Sequence, residues 1–203
     1  MPAISAARGS SLLLFFFLSL LSVTASASGL VRQVQEAYRK TDSFHANFVQ
    51  KTHVAILDRD IDEQGELTFA KPGKFLIYYQ GKNERKYISD GNTLWIVRPR
   101  EKELETYPHV KDLLSNEALI FLGGLGNMSK DFRVSEKTSN TLLLIPLRKT
   151  APFVRLLLKI DPESHLACEA TLFPKSGNQS RYVFSDTEVN QEIPEEIFQR
   201  PSP

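Results

Sequence analysis

The chain holds one cysteine among 203 residues, Cys168, so no internal disulfide can brace it. Cys168 alternates with apolar neighbours in Leu166-Ala-Cys-Glu-Ala-Thr-Leu172, which reads as a small buried core residue rather than a reactive thiol. An excess of one charge is lacking as well. Without Arg8 the chain carries 24 basic and 24 acidic side chains, a balance that gives nucleic acid no electrostatic foothold. Catalytic signatures are missing: there is no G-x-S-x-G elbow, H-E-x-x-H helix or G-x-x-x-x-G-K-S/T loop. Gly124-Leu-Gly126-Asn-Met-Ser129 has Ser where a dinucleotide fingerprint needs its third glycine. His45, His53, His109 and His165 are scattered, so a metal site would need the fold to gather three of them. Internal repeats and linkers are absent too. Together these absences favour one binding domain, with no cofactor and no metal, over an enzyme.

What is present begins with Arg8, the apolar run Ser11–Leu21 and the small residues Ala25-Ser-Ala27. This is the layout of a secretory signal peptide with an A-x-A cleavage site. The apolar run falls short of the about 20 residues a transmembrane helix needs. We therefore expect a signal peptide over residues 1–27 and one domain over 28–203. A bacterial lipoprotein carries cysteine directly after its signal peptide; Ser28 stands there, so the exported chain is expected to be free of a lipid anchor.

From Gly29 to Thr41, Leu30, Val34, Ala37 and Tyr38 form one stripe of an amphipathic helix. In Ser43–Ile56 strict alternation predicts a strand with Phe44, Ala46, Phe48, Thr52, Val54 and Ile56 on one face. His45, Asn47, Lys51 and His53 fall on the other. Gly65-Glu-Leu-Thr-Phe-Ala-Lys-Pro-Gly-Lys-Phe-Leu-Ile-Tyr-Tyr79 reads as two strands joined at Lys71-Pro-Gly73. Lys86–Val97 reads as two more, hinged at Asp90-Gly91. Further strands are expected at 103–107, 132–135, 141–145, 154–160, 166–172 and 181–189, with a short one near Phe198. About ten closely spaced strands without βαβ alternation indicate a mainly β fold, an antiparallel sheet curling into a barrel or half-barrel.

Two features do not fit a plain half-buried sheet. Phe75-Leu-Ile-Tyr-Tyr79 places large groups on both faces of one strand. Between Lys111 and Gly126 a helix-like segment contains Ala118-Leu-Ile-Phe-Leu122, with no polar face, followed by Gly123, Gly124 and Gly126. A helix inserted there would cover the sheet's concave face, as an ordinary core helix or as a movable lid.

The order of helix, Ser43-Phe-His-Ala-Asn-Phe-Val-Gln50, Gly65–Phe75, Ile88-Ser-Asp-Gly-Asn-Thr-Leu-Trp95, an apolar segment near 118–122 and Gly177-Asn178 resembles the LolA family of periplasmic lipoprotein carriers. The resemblance implies an unclosed antiparallel β-barrel with an N-terminal helix and an inserted helical lid over an apolar cavity. It implies a periplasmic monomer whose cargo is the acyl chains of lipoproteins. Its implied partners are an inner-membrane LolCDE-type ABC exporter and, where present, the outer-membrane receptor LolB. By alternation, Phe44, Phe48, Leu67, Phe69, Phe75, Ile77, Tyr79 and Tyr87 would line the cavity, and Leu119, Ile120 and Leu122 would cover it. Lys71 stands where well-known members carry the arginine that holds the lid. Its ammonium keeps the charge but not the planar fork, and as a latch it would bind lid carbonyls; as a turn lysine it would be solvated. A carrier of other lipids or glycolipids, or a lipoprotein-sensing regulatory domain, would use the same fold.

Overall fold

A twelve-residue helix, α1 (Gly29–Lys40), opens the described chain and buries Val31, Val34 and Tyr38. Their spacing keeps them on one side of the helix. Arg39 and Lys40 occupy the last turn, where the carbonyl ends of the helix favour positive charge. The computed structural model describes residues 29–110 and 128–201. The expected leader at 1–27 and the segment with Leu119, Ile120 and Leu122 lie outside these residues.

Eleven strands follow α1: β1 (Ser43–Val54), β2 (Arg59–Ala70), β3 (Lys74–Tyr79), β4 (Arg85–Asp90), β5 (Leu94–Arg98), β6 (Glu103–Tyr107), β7 (Phe132–Thr138), β8 (Thr141–Pro146), β9 (Phe153–Ile160), β10 (Ala167–Pro174) and β11 (Gln179–Val189). A short helix, α2 (Met128–Asp131), precedes β7. All strands belong to one sheet in the order β6-β5-β4-β3-β2-β1-β11-β10-β9-β8-β7. Each pairing is antiparallel. The sheet is thus two meanders, β1–β6 and β7–β11, joined where β1 meets β11, and it stays open at β6 and β7. Charge protects the open edge at β6, where Arg98 pairs with Glu103 and Glu105.

One face carries the core, and we term it inner. Its aliphatic half gathers Leu142, Leu144, Leu156, Leu158, Ile160 and Leu172 under Val31, Val34 and Tyr38 of α1, with Met128 of α2. The Tyr38 hydroxyl accepts from the Ala167 backbone N–H at 3.3 Å, and burial pushes its pKa up to about 12. The other half gathers Phe48, Leu67, Phe69, Phe75, Ile77, Tyr79, Leu94 and Val110. Phe44, Tyr182 and Phe184 pack against both.

The outer face explains the doubly apolar β3. Leu76 lies opposite Ile88, and Ile88 opposite Trp95; Ile88 and Trp95 are buried. The C-terminal segment crosses this face as a 3-10 turn, Glu195–Phe198, packed on β3 and β4, with Phe198 buried. Lys74 Nζ holds Glu195 at 2.5 Å. The residues near Phe198 are therefore not a strand: Pro194 opens a 3-10 turn, its carbonyl accepting from Ile197 N at 3.4 Å.

Two further expectations are corrected. Ile56 does not continue the β1 face: Ala55–Leu57 forms a 3-10 turn closed by Asp58 in the left-handed region, and Ile56 is 90% exposed. Cys168 is half-buried, not a core residue, because the ladder shifts register between Ala167 and Glu169 and leaves it at the bulge. Burial still raises its pKa.

Candidate functional site

Four neighbouring strands place the expected inner residues in matching register. Phe44 faces Phe69, Phe69 faces Phe75, Leu67 faces Ile77 and Ile77 faces Tyr87. Period-two alternation then puts Phe44, Phe48, Leu67, Phe69, Phe75, Ile77, Tyr79 and Tyr87 on one surface. Phe48, Leu67, Phe69, Phe75, Ile77 and Tyr79 are buried there; Phe44 and Tyr87 are half-buried against them. Phe75 is the most enclosed, at 1% exposure.

Sequence reading missed Leu94, Ile96, Val110, Tyr182 and Phe184, which join the same cluster. Alternation about Trp95 and within β11 carried a signal for four of them. Val110 had none: it is placed by its backbone N–H donating to Asn92 O at 2.8 Å.

The rings meet edge to face. Phe48 and Tyr79 lie 5.1 Å apart at 75°, and Tyr79 and Tyr87 6.1 Å apart at 71°. Gly65 permits the first contact. It faces both Phe48 and Tyr79, and a Cβ there would stand 2.9 Å from Phe48 Cζ and 2.0 Å from the Tyr78 carbonyl oxygen.

The apolar wall gives way to polar groups at the end of the face bearing Gln50 and Arg85. The Tyr79 hydroxyl donates to Gln50 Oε1 at 2.8 Å, and Gln50 Nε2 donates to Thr52 Oγ1 at 2.9 Å. Arg85 donates from two nitrogens to Glu63, at 2.6 and 3.2 Å, and its guanidinium lies 3.7 Å over the Tyr79 ring. Burial raises the Tyr79 pKa, so the hydroxyl stays a donor.

Lys71 sits at the other end, in the β2–β3 turn. Its ammonium donates to the carbonyls of Arg39, at 2.8 Å, and Tyr38, at 3.4 Å, and reaches Asp42 at 3.3 Å. It therefore binds the carbonyl end of α1; its relation to residues 118–122 lies outside the described residues. Asn190 reinforces the joint, accepting from Asp42 N at 2.7 Å and donating to Lys40 O at 3.2 Å. His45 and Lys51 point away from the site, to Thr68 and Asp60. Among the described residues no cluster of His, Cys, Asp and Glu has metal-site geometry, and no helix is long and apolar enough to cross a membrane.

An open antiparallel sheet with a helix on half of its apolar face, and aromatic rings on the rest, defines a class of proteins built around a hydrocarbon-like surface. The chain belongs to the LolA family: the family described as outer membrane lipoprotein carrier protein LolA matches residues 39–201. It is 27% identical over 193 residues to the outer-membrane lipoprotein carrier protein of Pseudomonas putida, covering 94% of this chain and 93% of that one. The namesake in Hahella chejuensis is 27% identical over 187 residues, covering 89% and 88%. An uncharacterized conserved protein of known structure from Thermus thermophilus shares the fold, with a TM-score of 0.53 and 8% identity, over 85% of this chain and 92% of that one.

Proposed function

We infer that this protein is a periplasmic carrier that takes the acyl chains of lipoproteins released from the inner membrane and delivers them to the outer membrane. The observation that carries this reading is the aromatic half of the inner face, from Phe48 to Val110, in a chain of the LolA family. Its residues offer contact area without directed hydrogen bonds, the wall hydrocarbon requires. Each buried CH₂ contributes about 0.8 kcal/mol, so one chain of about sixteen carbons supplies roughly 12 kcal/mol. Binding is then easy and release difficult. Loading falls to an inner-membrane exporter of the LolCDE type, and release to a LolB-type receptor that offers a more apolar site.

The same residues are packed on one another here, so cargo must displace something. Val110 is buried in the aromatic cluster and Met128 in the aliphatic one. The intervening residues, with Leu119, Ile120 and Leu122, are the proposed lid, and Phe44, Phe48, Leu67, Phe69, Phe75, Ile77, Tyr79 and Tyr87 the proposed acyl-binding wall. Lys71, through its hold on the α1 carbonyls, is the proposed latch.

Native mass spectrometry of protein from a periplasmic extract tests the function, because a bound lipoprotein, a free lipid and an empty chain differ in mass. Phe75→Glu and Ile77→Glu should abolish lipoprotein pickup, since a carboxylate there must be buried unpaired or protonate. Lys51→Ala should leave pickup intact. Lys71→Leu should accept lipoprotein but transfer it poorly, and Lys71→Arg should transfer normally or faster. Equal pickup by Phe75→Glu and the unmodified chain would overturn the assignment of the wall.

A further inference from the structure

Polarity changes along the inner face in the same direction on β1, β2 and β3, and β4 adds Arg85 at the polar end although it begins at the buried Ser89. From one end to the other, β1 presents Phe44, Ala46, Phe48, Gln50 and Thr52, and β2 presents Phe69, Leu67, Gly65 and Glu63. β3 presents Phe75, Ile77 and Tyr79, and β4 presents Ser89, Tyr87 and Arg85. The polar groups converge. Gln50 lies opposite Glu63 and Tyr182, and Tyr79 opposite Arg85. Thr52 Oγ1 and Ser180 Oγ lie 3.0 Å apart and extend the chain of hydrogen bonds onto β11. Gln50 and Ser180 are 7% and 4% exposed, and the Arg85 and Glu63 side chains 20% and 17%.

The two ends also differ in how they are closed. The end near Phe44 is tied off by the bonds from Lys71 and Asn190 to α1 and by Val110 on Asn92. The polar end carries hydrogen-bonding groups partly open to water. An amphiphile laid on such a face has one favourable orientation: its head among the polar groups and its tails toward the tied apolar end. Six residues separate Phe44 from Gln50, about 20 Å at the rise of a strand. An acyl chain spans about 15 Å, half the thickness of a bilayer's hydrocarbon core.

We propose that Gln50, Glu63, Tyr79 and Arg85 form a head-group subsite that takes the ester and amide carbonyls of a diacylglyceryl-cysteine, with the acyl tails running toward Phe69, Phe75 and Leu94. This rests on the carrier reading and adds its polarity. The donors are the second N–H of the Gln50 amide and the Arg85 N–H groups not given to Glu63 or Asn83, while the Tyr79 hydroxyl, whose one proton goes to Gln50 Oε1, holds that amide in place. Glu63 cancels the charge of Arg85 in a two-pronged pair, so the subsite offers donors without net positive charge. That chemistry suits a neutral ester head and repels a phosphate, which would face the Glu63 carboxylate.

The test uses a synthetic lipopeptide with an N-terminal diacylglyceryl-cysteine, nitroxide-labelled either near the carboxyl end or near the methyl end of its acyl chains. With the whole exported chain in solution, the carboxyl-end label should broaden the amide resonances of Gln50 and Tyr79, and the methyl-end label those of Phe75 and Leu94. The reverse pattern overturns the orientation while leaving the carrier function standing; no broadening by either label overturns both. Replacing the ester carbonyls by ether linkages should weaken binding about fivefold in the native chain, the worth of about one hydrogen bond. The ether penalty should shrink in Gln50→Leu/Tyr79→Phe, where both partners become apolar together and Arg85 is the donor that remains. A phosphatidylglycerol with the same chains should bind more weakly than the lipopeptide. Equal binding of the two, or an ether penalty that the double substitution leaves undiminished, also overturns the subsite.

Discussion

The two halves of the inner face are made from one sheet and differ in what covers them. The half formed by β7–β10 is mainly aliphatic, with Phe132 and Phe153 paired among its leucines, and α1 sits on it, held at one end by Glu136 accepting from Leu30 N at 3.2 Å and at the other by Lys71 and Asn190. The half formed by β1–β5 is richer in rings: Phe48, Phe69, Phe75 and Tyr79 stand among Leu67, Ile77, Leu94 and Val110. Branched aliphatic side chains interlock in defined rotamers and resist rearrangement. Rings meeting edge to face gain about 0.5–1.5 kcal/mol per pair beyond the area they bury, which an acyl chain taking their place must exceed. A carrier needs both: a half that keeps its shape and a half that gives up its contacts.

The comparison can be broken most severely at Leu158, which is fully buried beneath α1. Leu158→Ala should cost about 2–5 kcal/mol of stability, read from urea unfolding. Lipopeptide affinity measured on the folded fraction should be unchanged. A loss of affinity without a loss of stability would mean the aliphatic half also takes cargo.

Gly65→Ala strikes the aromatic half through its backbone. The added methyl meets the Tyr78 carbonyl and Phe48, so β2 and β3 must part, at about 1–3 kcal/mol. Near-ultraviolet circular dichroism should lose tyrosine intensity as Tyr79 leaves Phe48, and lipopeptide binding should weaken in the same variant. An unchanged spectrum would remove Gly65 from the argument.

At the joint between the halves, Lys71→Leu deletes the ammonium that caps α1, worth about 1 kcal/mol. Hydrogen exchange should rise in the last turn of α1 and not at its start. The smallest effect concerns Glu36, whose carboxyl is lowered to about 2 by hydrogen bonds from Arg39 and then Lys40. A lowered folded pKa means the contribution is present above the ordinary value of 4.5 and is lost as pH falls toward 2. NMR titration should find the Glu36 midpoint near 2, moving back up in Arg39→Ala.

Much of this was legible before any coordinates. Alternation fixed the faces of β1, β2 and β3 because one face of each is buried and a one-residue slip would invert it. It failed where the backbone leaves the two-residue period: at the 3-10 turn that exposes Ile56, at the bulge that holds Cys168 and in the turn containing Phe198. The polar subsite was missed for another reason. Gln50 and Glu63 have inner parity, but a search for apolar lining passes over polar residues, and their satisfaction depends on Tyr79 and Arg85 from strands distant in sequence. For Lys71 the expectation was a hold on lid carbonyls or a solvated turn; among the described residues the carbonyls it binds are those of α1, because the turn lies beneath the helix end.

The seam between β1 and β11 has a mechanical consequence. Within the sheet the two meanders touch along that ladder alone, and neither β6 nor β7 is tied back to close a hoop. A closed barrel has a circumference set by its strand number and stagger, so its interior is a fixed quantity. Here the sheet imposes no such closure, and the meanders are held to one another by the β1–β11 ladder, by Lys71 on α1 and by Phe44, Tyr182 and Phe184, which pack against both clusters. An open sheet therefore has no interior fixed by strand number and stagger, and what its inner face encloses is set by those few side-chain ties instead.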